Sequence, residues 1–120
     1  MKILIAAAAA IGSWSDIPGG SWHPGEVAIA EIRSGVRQFV QESAKKRGKN
    51  LQEWSLYSFQ YQAREKAGQR FVFINAFCIA PPDYAQKRFV LVTDGGPCFF
   101  NLKYDPQRRV FFDLEFNGEG

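Results

Sequence analysis

The feature that most constrains this fold is a two-residue periodicity in the second half of the chain. Tyr57, Phe59 and Tyr61 alternate with polar residues, and another alternating stretch, residues 69–79, follows the turn-like pair at residues 67–68. Such alternation is typical of half-buried strands, and the glycine of that pair can take the positive φ that a two-residue hairpin turn requires. The sequence therefore predicts an antiparallel hairpin.

A second hairpin is predicted closer to the C-terminus. Residues 98–104 and 110–117 are rich in apolar side chains, and they flank residues 105–109, where Asp followed by Pro favours the start of a type I turn. The intervening residues 81–97 begin with two prolines and contain a short β-like run at residues 89–92. They are predicted to connect the two hairpins.

The two hairpins can be aligned so that their apolar residues share one face. The first turn is taken as two residues and the second as five, and Cys78 is set opposite Cys98 to join the hairpins. This alignment pairs Ala63 with Val72, Tyr61 with Ile74, Phe59 with Ala76, Tyr104 with Val110, Leu102 with Phe112, Phe100 with Leu114, Ala76 with Phe100 and Ile74 with Leu102. A slip of one residue would move one hairpin's apolar set to the other face. The alignment therefore predicts one continuous apolar surface.

The residues before the hairpins have a different periodicity. Apolar side chains recur at three- and four-residue steps between residues 26 and 46, and Gly48 follows as a natural stop. The apolar positions are Ile29, Ile32, Val36, Phe39 and Val40. This pattern is typical of an amphipathic helix with one apolar stripe. The predicted fold class is α+β, with one long helix packed on a curved four- to five-stranded antiparallel sheet.

A chain of 120 residues suits a single domain, which is predicted to cover residues 26–118. The preceding residues 13–25 are rich in proline and glycine. They are predicted to form a loop that Trp14 and Trp22 attach to the domain.

Residues 1–12 have the character of a shortened secretory signal. A lysine at position 2 is followed by an apolar, alanine-rich run, whereas such signals usually have about 15–30 residues. Export to the periplasm or the medium is the favoured interpretation. An ordinary buried N-terminal strand or helix in a cytoplasmic protein is the alternative. No apolar run reaches the ~20 residues that a membrane span needs.

The two cysteines are predicted to form a disulfide. Cys78 and Cys98 occupy directly opposed strand positions in the alignment, where Cβ atoms are about 4.5–5.5 Å apart and within reach of a disulfide. Small exported domains also commonly carry such bonds. Two reduced, buried thiols in a cytosolic protein are the alternative.

No residue pattern indicates catalysis, a cofactor or a metal site. His23 is the only histidine, and no neighbouring feature would orient it as a general base. Two cysteines and one histidine do not match a zinc pattern. A net charge of +3 without an arginine-rich helix does not indicate a nucleic-acid-binding module. The favoured function is a non-enzymatic exported binding protein without a cofactor.

The alignment predicts a candidate binding or dimer surface on the outer face of the sheet. Its polar row is Gln60, Asn75, Asn101 and Asp113, and the flanking phenylalanines are Phe73, Phe77, Phe99 and Phe111. Exposed aromatic patches often bind partners, so this surface would suit an unidentified protein, a small ligand or a second copy of the chain. Alternatively, residues 89–92 or the N-terminal run fold over these rings and bury them.

A candidate pocket is predicted between the helix and the sheet. Tyr57, Tyr61 and Tyr104 face inward in the alignment, and they would line such a pocket. A cavity of at least ~300 Å³ there would favour a small-ligand-binding protein or an isomerase-like enzyme over the non-enzymatic binding protein.

Four segments of the C-terminal half carry a family resemblance. They are Phe-Ile-Asn-Ala-Phe-Cys at residues 73–78, Asp-Gly-Gly-Pro-Cys-Phe-Phe at residues 94–100, Lys-Tyr-Asp-Pro at residues 103–106 and Leu-Glu-Phe-Asn-Gly at residues 114–118. Together they resemble a family of small bacterial proteins, mostly uncharacterised and often exported, whose architecture is similar to the cystatin-like fold.

The resemblance covers about residues 51–118 and bears on the fold rather than on an activity. It implies one helix cradled by a curved sheet of four to five strands, and a disulfide between Cys78 and Cys98. The Gln-x-Val-x-Gly hairpin of true cystatins is missing from this sequence. The cystatin-like architecture hosts inhibitors, isomerase-like enzymes and interaction modules, so the resemblance does not choose among them.

Overall fold

The computed structural model describes residues 10–118, and in this range one α-helix packs on one face of a five-stranded sheet. The helix is α1 (Gly25–Lys46), and the strands are β1 (Trp14–Asp16), β2 (Ser58–Lys66), β3 (Gln69–Phe77), β4 (Phe99–Asp105) and β5 (Val110–Phe116). The strands lie side by side in the order of the chain. Short 3-10 helices span Trp54–Leu56 and Gly96–Cys98. The predicted α+β class is confirmed.

The first hairpin has the predicted register. Strands β2 and β3 pair Ala63 with Val72, Tyr61 with Ile74 and Phe59 with Ala76. The two turn residues have φ values of 52° and 77°, which is the geometry that matches the twist of a two-residue hairpin. The predicted neighbours across β3 and β4, Ala76 with Phe100 and Ile74 with Leu102, are also confirmed.

The predicted register of the second hairpin is wrong. Val110 pairs with Asp105 rather than with Tyr104, which pairs instead with Phe111. The turn is therefore one residue shorter than expected. The cause is the Asp105 carboxylate, which accepts hydrogen bonds from the backbone N–H groups of Gln107 and Arg108 at 2.9 and 3.1 Å and tightens the turn.

A β-bulge then restores the inward direction of the last residues of β5. The pairing shifts between Asn101 and Lys103, so the predicted pairs Leu102–Phe112 and Phe100–Leu114 do not form, and Phe100 pairs with Phe116. Asp113 has a φ of 52°, a conformation that Asp tolerates better than most residues.

The bulge exchanges the expected positions of two adjacent phenylalanines. Phe111 was expected on the outer face, but its ring lies on the inner face, 5.4 Å from the ring of Phe39. Phe112 was expected inside, but it lies on the outer face beneath Lys103. Gly35 explains how the helix accommodates Phe111, because a Cβ at this position would lie 3.1 Å from that ring.

The predicted loop at residues 13–25 contains an edge strand. Trp14 of β1 pairs with Phe59 in a parallel arrangement, and their rings stack at 4.4 Å. The sheet is therefore mixed rather than wholly antiparallel. Trp22 also attaches to the sheet, since its indole N–H donates to the carbonyl oxygen of Arg64 at 2.8 Å. Residues 1–9, which make up most of the predicted signal at residues 1–12, lie outside the described residues.

The helix buries the predicted apolar stripe against the inner face of the sheet. Ile32, Val36 and Val40 are at most 1% exposed, and Gly48 ends the helix with a φ of 66°. The same core contains Tyr57, which directly precedes β2, and the sheet residues Phe59, Val72, Ile74, Ala76, Phe100, Leu102, Tyr104, Leu114 and Phe116. This core fills the space between the helix and the sheet.

The chain between β3 and β4 crosses the outer face of the sheet, and residues 79–97 are here called the crossing segment. The β-like run expected at residues 89–92 is not a strand. Cys78 and Cys98 are bonded to each other at the base of the segment, with their Cα atoms 5.1 Å apart, which confirms the predicted disulfide. Phe77 of β3 and Ala85 and Val90 of the segment form a second buried cluster between the segment and the sheet.

Replacing both Cys78 and Cys98 by Ser should lower the free energy of unfolding by about 3 kcal/mol. The disulfide closes a stretch with a sequence separation of 20, and its loss enlarges the conformational freedom of the unfolded chain. Urea denaturation of the wild-type protein and of the variant, under oxidising and non-oxidising conditions, measures the change in unfolding midpoint. Wild-type protein treated with a reductant serves as the matched control and should match the variant. An unchanged unfolding midpoint in both would contradict this prediction.

Candidate functional site

Two buried side-chain amides hold the crossing segment on the sheet. Gln60 donates through Nε2 to the carbonyl oxygens of Ala85 (2.8 Å) and Arg88 (2.7 Å). Its Oε1 accepts from the N–H of Val90 (2.9 Å) and from Nδ2 of Asn75 (3.0 Å). One carboxamide thus uses both donors and both acceptor positions, and three of the four bonds reach the crossing segment.

Asn75 completes the attachment from the neighbouring strand. Its Nδ2 also donates to the carbonyl oxygen of Val90 at 2.9 Å. Gln60 is 1% exposed and Asn75 is 5% exposed, so these hydrogen bonds form away from water, where an unpaired amide would be costly. Gln60 and Asn75 are here called the buried amide pair. Within residues 10–118, every buried side-chain nitrogen or oxygen has a hydrogen-bond partner.

The crossing segment divides the predicted binding surface. Gln60, Asn75 and Phe77 lie beneath the segment, and Phe99 is half-buried beside it. The sequence left open the alternative that residues 89–92 fold over the outer face and bury its rings. For this half of the face, the crossing segment does cover the side chains. Phe111 does not belong to the outer face at all. The register also pairs Asn101 with Glu115 rather than with Asp113.

The other half of the outer face remains open. A shallow depression of about 530 Å³ occupies it, and Phe71, Phe73 and Phe112 are half-buried there. The depression is lined by Ser21, Arg64, Glu65, Lys66, Phe71, Phe73, Asn101, Lys103, Asp113 and Glu115. These ten residues together with Phe112 are here called the open half. Three residues of the predicted binding surface lie in the open half: Phe73, Asn101 and Asp113.

Cationic side chains lie over the aromatic rings of the open half. The Nζ atom of Lys103 is 5.3 Å from the ring of Phe71 and 5.9 Å from that of Phe112, and it forms a 3.1 Å ion pair with Asp113. The guanidinium carbon of Arg64 is 4.1 Å from the ring of Phe73. Sequence reasoning missed both cations, because their role depends on which rings the register places beside them.

A second concavity lies between the start of the helix and the edge of the sheet. This cleft has a volume of about 500 Å³ and is lined by Asp16, His23, Pro24, Gly25, Glu26, Ile29, Ala30, Arg33 and Tyr61. Burial, and then the charge of Asp16, raise the pKa of Tyr61, while Arg33 acts in the opposite direction. Asp16, His23 and Tyr61 thus line one cleft, although the sequence did not place them together.

The three predicted pocket tyrosines do not share a pocket. Tyr57 is buried in the core and donates its hydroxyl to the carbonyl oxygen of Pro97 at 2.6 Å. Tyr104 is also buried, and its hydroxyl donates to the Glu31 carboxylate at 2.5 Å. Of the three, Tyr61 lines the cleft. The pocket expected from Tyr57, Tyr61 and Tyr104 together is therefore wrong.

Tyr104, Glu31 and Arg109 form a small hydrogen-bonded cluster at one edge of the helix. Arg109 forms an ion pair with the Glu31 carboxylate, which also accepts from Tyr104. These two hydrogen bonds lower the pKa of Glu31. Burial, and then the hydrogen bond to Glu31 and its charge, raise the pKa of Tyr104 to about 12. The cluster joins the helix to β4 and to the turn before β5.

Comparisons with protein-family models, curated proteins and solved structures find no match to this chain. In residues 10–118, no group of three or more His, Cys, Asp or Glu side chains is arranged to hold a metal ion. No helix in that range combines the length and the apolar character that crossing a membrane requires.

Replacing Gln60 by Ala should lower the free energy of unfolding by about 2–3 kcal/mol. The change leaves the carbonyl oxygens of Ala85 and Arg88 and the N–H of Val90 without their partner beneath the crossing segment. Urea denaturation measures the loss. Gln86→Ala, at an exposed position of the same segment, is the control and should change stability by less than about 0.5 kcal/mol. Equal stability of the two variants would contradict the role of Gln60.

The phenol of Tyr104 should keep its proton until about pH 12. Because an unfolded chain releases that proton near the ordinary value of 10.0, the folded state binds more protons between these values. The free energy of unfolding should therefore fall as the pH rises through this range. Ultraviolet titration of wild type and of Tyr104→Phe identifies the group. Glu31→Gln should lower the pKa of Tyr104, and an unchanged titration in that variant would contradict the assignment.

Proposed function

We propose that this protein is a non-enzymatic binding protein that works outside the cytoplasm and holds a protein partner on the open half of its outer sheet face. The observation that carries this proposal is a difference in solvent exposure between aromatic rings on the outer face of the sheet. Phe77 is 1% exposed beneath the crossing segment, whereas Phe71, Phe73 and Phe112 are left half-buried in the open half.

A solvated sheet face normally carries polar side chains. Three phenylalanines on such a face lower the solubility of the folded chain unless something covers them, and contiguous exposed apolar patches commonly mark interaction sites. Phe89 of the crossing segment contacts the edge of this set at Phe73, and the side chains of Arg64 and Lys103 lie over the rings. These two cations are placed to contribute contacts to a partner. Aromatic rings and arginine are also the residue types enriched where proteins bind one another.

Two features support a location outside the cytoplasm. The disulfide between Cys78 and Cys98 is a type of bond that persists in oxidising compartments. The apolar, alanine-rich start of the sequence has the character of a secretory signal. The periplasm and the medium both satisfy these conditions.

A second candidate function is small-ligand binding in the cleft, with isomerase-like chemistry as its enzymatic form. The observation in its favour is a volume of about 500 Å³, which lies inside the ~300–1,000 Å³ range of ligand sites. Asp16, His23 and Tyr61 line this cleft and include acid and base groups. His23 is exposed, and in the described part of the chain no hydrogen bond orients it. A general base needs such orientation, so the first function is preferred.

Replacing Phe71 and Phe112 together by Ser should reduce capture of a partner at least about tenfold, because each half-buried aromatic anchor contributes on the order of 1 kcal/mol or more to binding. Immobilised wild-type and variant proteins are compared for capture from an extract of the producing cells. Light scattering on the purified protein then shows whether the partner is a second copy of the chain.

Val27→Ser is the matched control, because it removes an apolar side chain that is 75% exposed on the helix, away from the open half. It should capture as much partner as the wild type. Equal capture by the double variant and the wild type would refute the proposal. Loss of binding in His23→Ala, with the double variant unaffected, would favour the cleft instead.

A further inference from the structure

Arg64 is a half-buried cation without a carboxylate partner in the described part of the chain. Three other cations at the sheet have one: Lys103 pairs with Asp113, Arg108 lies 3.9 Å from Asp105, and Arg109 pairs with Glu31. Burial lowers the pKa of Arg64. Partly buried charges are usually paired, because removing a charge from water is costly when no counter-ion compensates it.

The guanidinium of Arg64 is held in one orientation by three contacts. Its Nε donates to Oε1 of Gln62 at 3.0 Å. Its central carbon lies 4.1 Å from the ring of Phe73 and 5.2 Å from the ring of Phe89. Those two rings meet edge to face, with their centres 5.3 Å apart. The guanidinium is therefore positioned jointly by the sheet and by the crossing segment.

The Gln62 side chain that orients Arg64 is itself held by a hydrogen bond. Gln62 donates through Nε2 to the carbonyl oxygen of Pro18 at 2.8 Å, so its oxygen remains directed to Arg64. The two terminal nitrogens of Arg64 have no hydrogen-bond partner among residues 10–118. They belong to a side chain that lines the depression of the open half. A planar guanidinium presents such nitrogens as a pair that fits the two oxygens of one carboxylate.

We propose that Arg64 anchors an oxyanion site in the open half, and that this site receives a carboxylate carried on an apolar group. The inference rests on the proposed binding function and names the chemistry that the partner must present. Phe71 and Phe73 offer the apolar group a surface beside the guanidinium, and Ser21 and Lys66 line the same depression. In a protein partner, the group is an acidic side chain or a chain terminus next to an apolar residue.

The charges around the depression favour a ligand with one negative charge over a ligand with several. Glu65, Asp113 and Glu115 also line it, and Asp113 is neutralised by Lys103. Glu65 and Glu115 offset the charges of Arg64 and Lys66, so the depression has no excess positive charge to attract a ligand with several negative charges. Nucleic acid and phosphorylated groups are therefore disfavoured relative to one carboxylate with an apolar body.

The test is an NMR titration of the full chain with 3-phenylpropionate and with its neutral analogue 3-phenylpropanamide. The carboxylate should produce saturable shifts of the Arg64 Nε–H signal and of the Phe73 backbone amide. The amide should bind at least about tenfold more weakly, because a charge-assisted bidentate contact contributes roughly 1.5–3 kcal/mol. Equal binding of the two probes would overturn the inference.

Two substitutions at the anchor sharpen the test. Arg64→Gln should abolish the preference for the carboxylate, and Arg64→Lys should retain only part of it, because lysine keeps the charge without the planar pair of donors. Arg70→Gln is the matched control. It removes an exposed arginine that lies 5.5 Å over the ring of Trp22, and it should leave the titration unchanged. Thermal unfolding confirms that each variant is folded before the titration.

The outcomes separate this inference from the proposed function. If Phe71→Ser with Phe112→Ser abolishes partner capture but Arg64→Gln neither weakens capture nor changes probe binding, the binding function stands and the oxyanion site is wrong. If the carboxylate probe depends on Arg64 while neither variant affects capture, the oxyanion site stands and the proposed protein partner is wrong.

Discussion

The structure depends on one constraint: a stretch of chain between two central strands must lie flat on the outer face of the sheet. The disulfide between Cys78 and Cys98 fixes where this stretch leaves and returns. The buried amide pair, Gln60 and Asn75, holds its middle. Because Gln60 uses all four of its hydrogen-bonding positions, moving the segment would leave several buried polar groups unpaired at once.

This placement produces the functional asymmetry of the sheet. Beneath the segment, aromatic and amide side chains serve stability, whereas beyond it the rings of the open half stay accessible. Arg64 lies at the boundary, over the ring of Phe73 from the sheet and near the ring of Phe89 from the segment. The segment therefore both closes one half of the face and helps to position the cation that we assign to ligand recognition in the other half.

Local patterns were sufficient for much of the fold. Alternation and a glycine-containing turn predicted the register of the first hairpin, and the three- to four-residue spacing of Ile32, Val36 and Val40 predicted the helix. The bulge at Asp113 was missed because two phenylalanines are adjacent, so either one satisfies the apolar pattern. Strand β1 was missed because it has three residues and gains its stability from distant β2. The resemblance to a cystatin-like family stays a prediction.

The candidate site was only partly visible in the sequence. Phe73, Asn101 and Asp113 were placed correctly on the outer face, but the burial of Gln60 and Asn75 depends on where a proline-flanked connection settles. Hydrogen exchange of the Val90 backbone amide tests this account most directly, because that N–H donates to Gln60. The account predicts protection close to that of Ile74 in strand β3, with Leu91, 74% exposed, exchanging rapidly. Equally rapid exchange at Val90 and Leu91 would show that the segment is not held on the sheet.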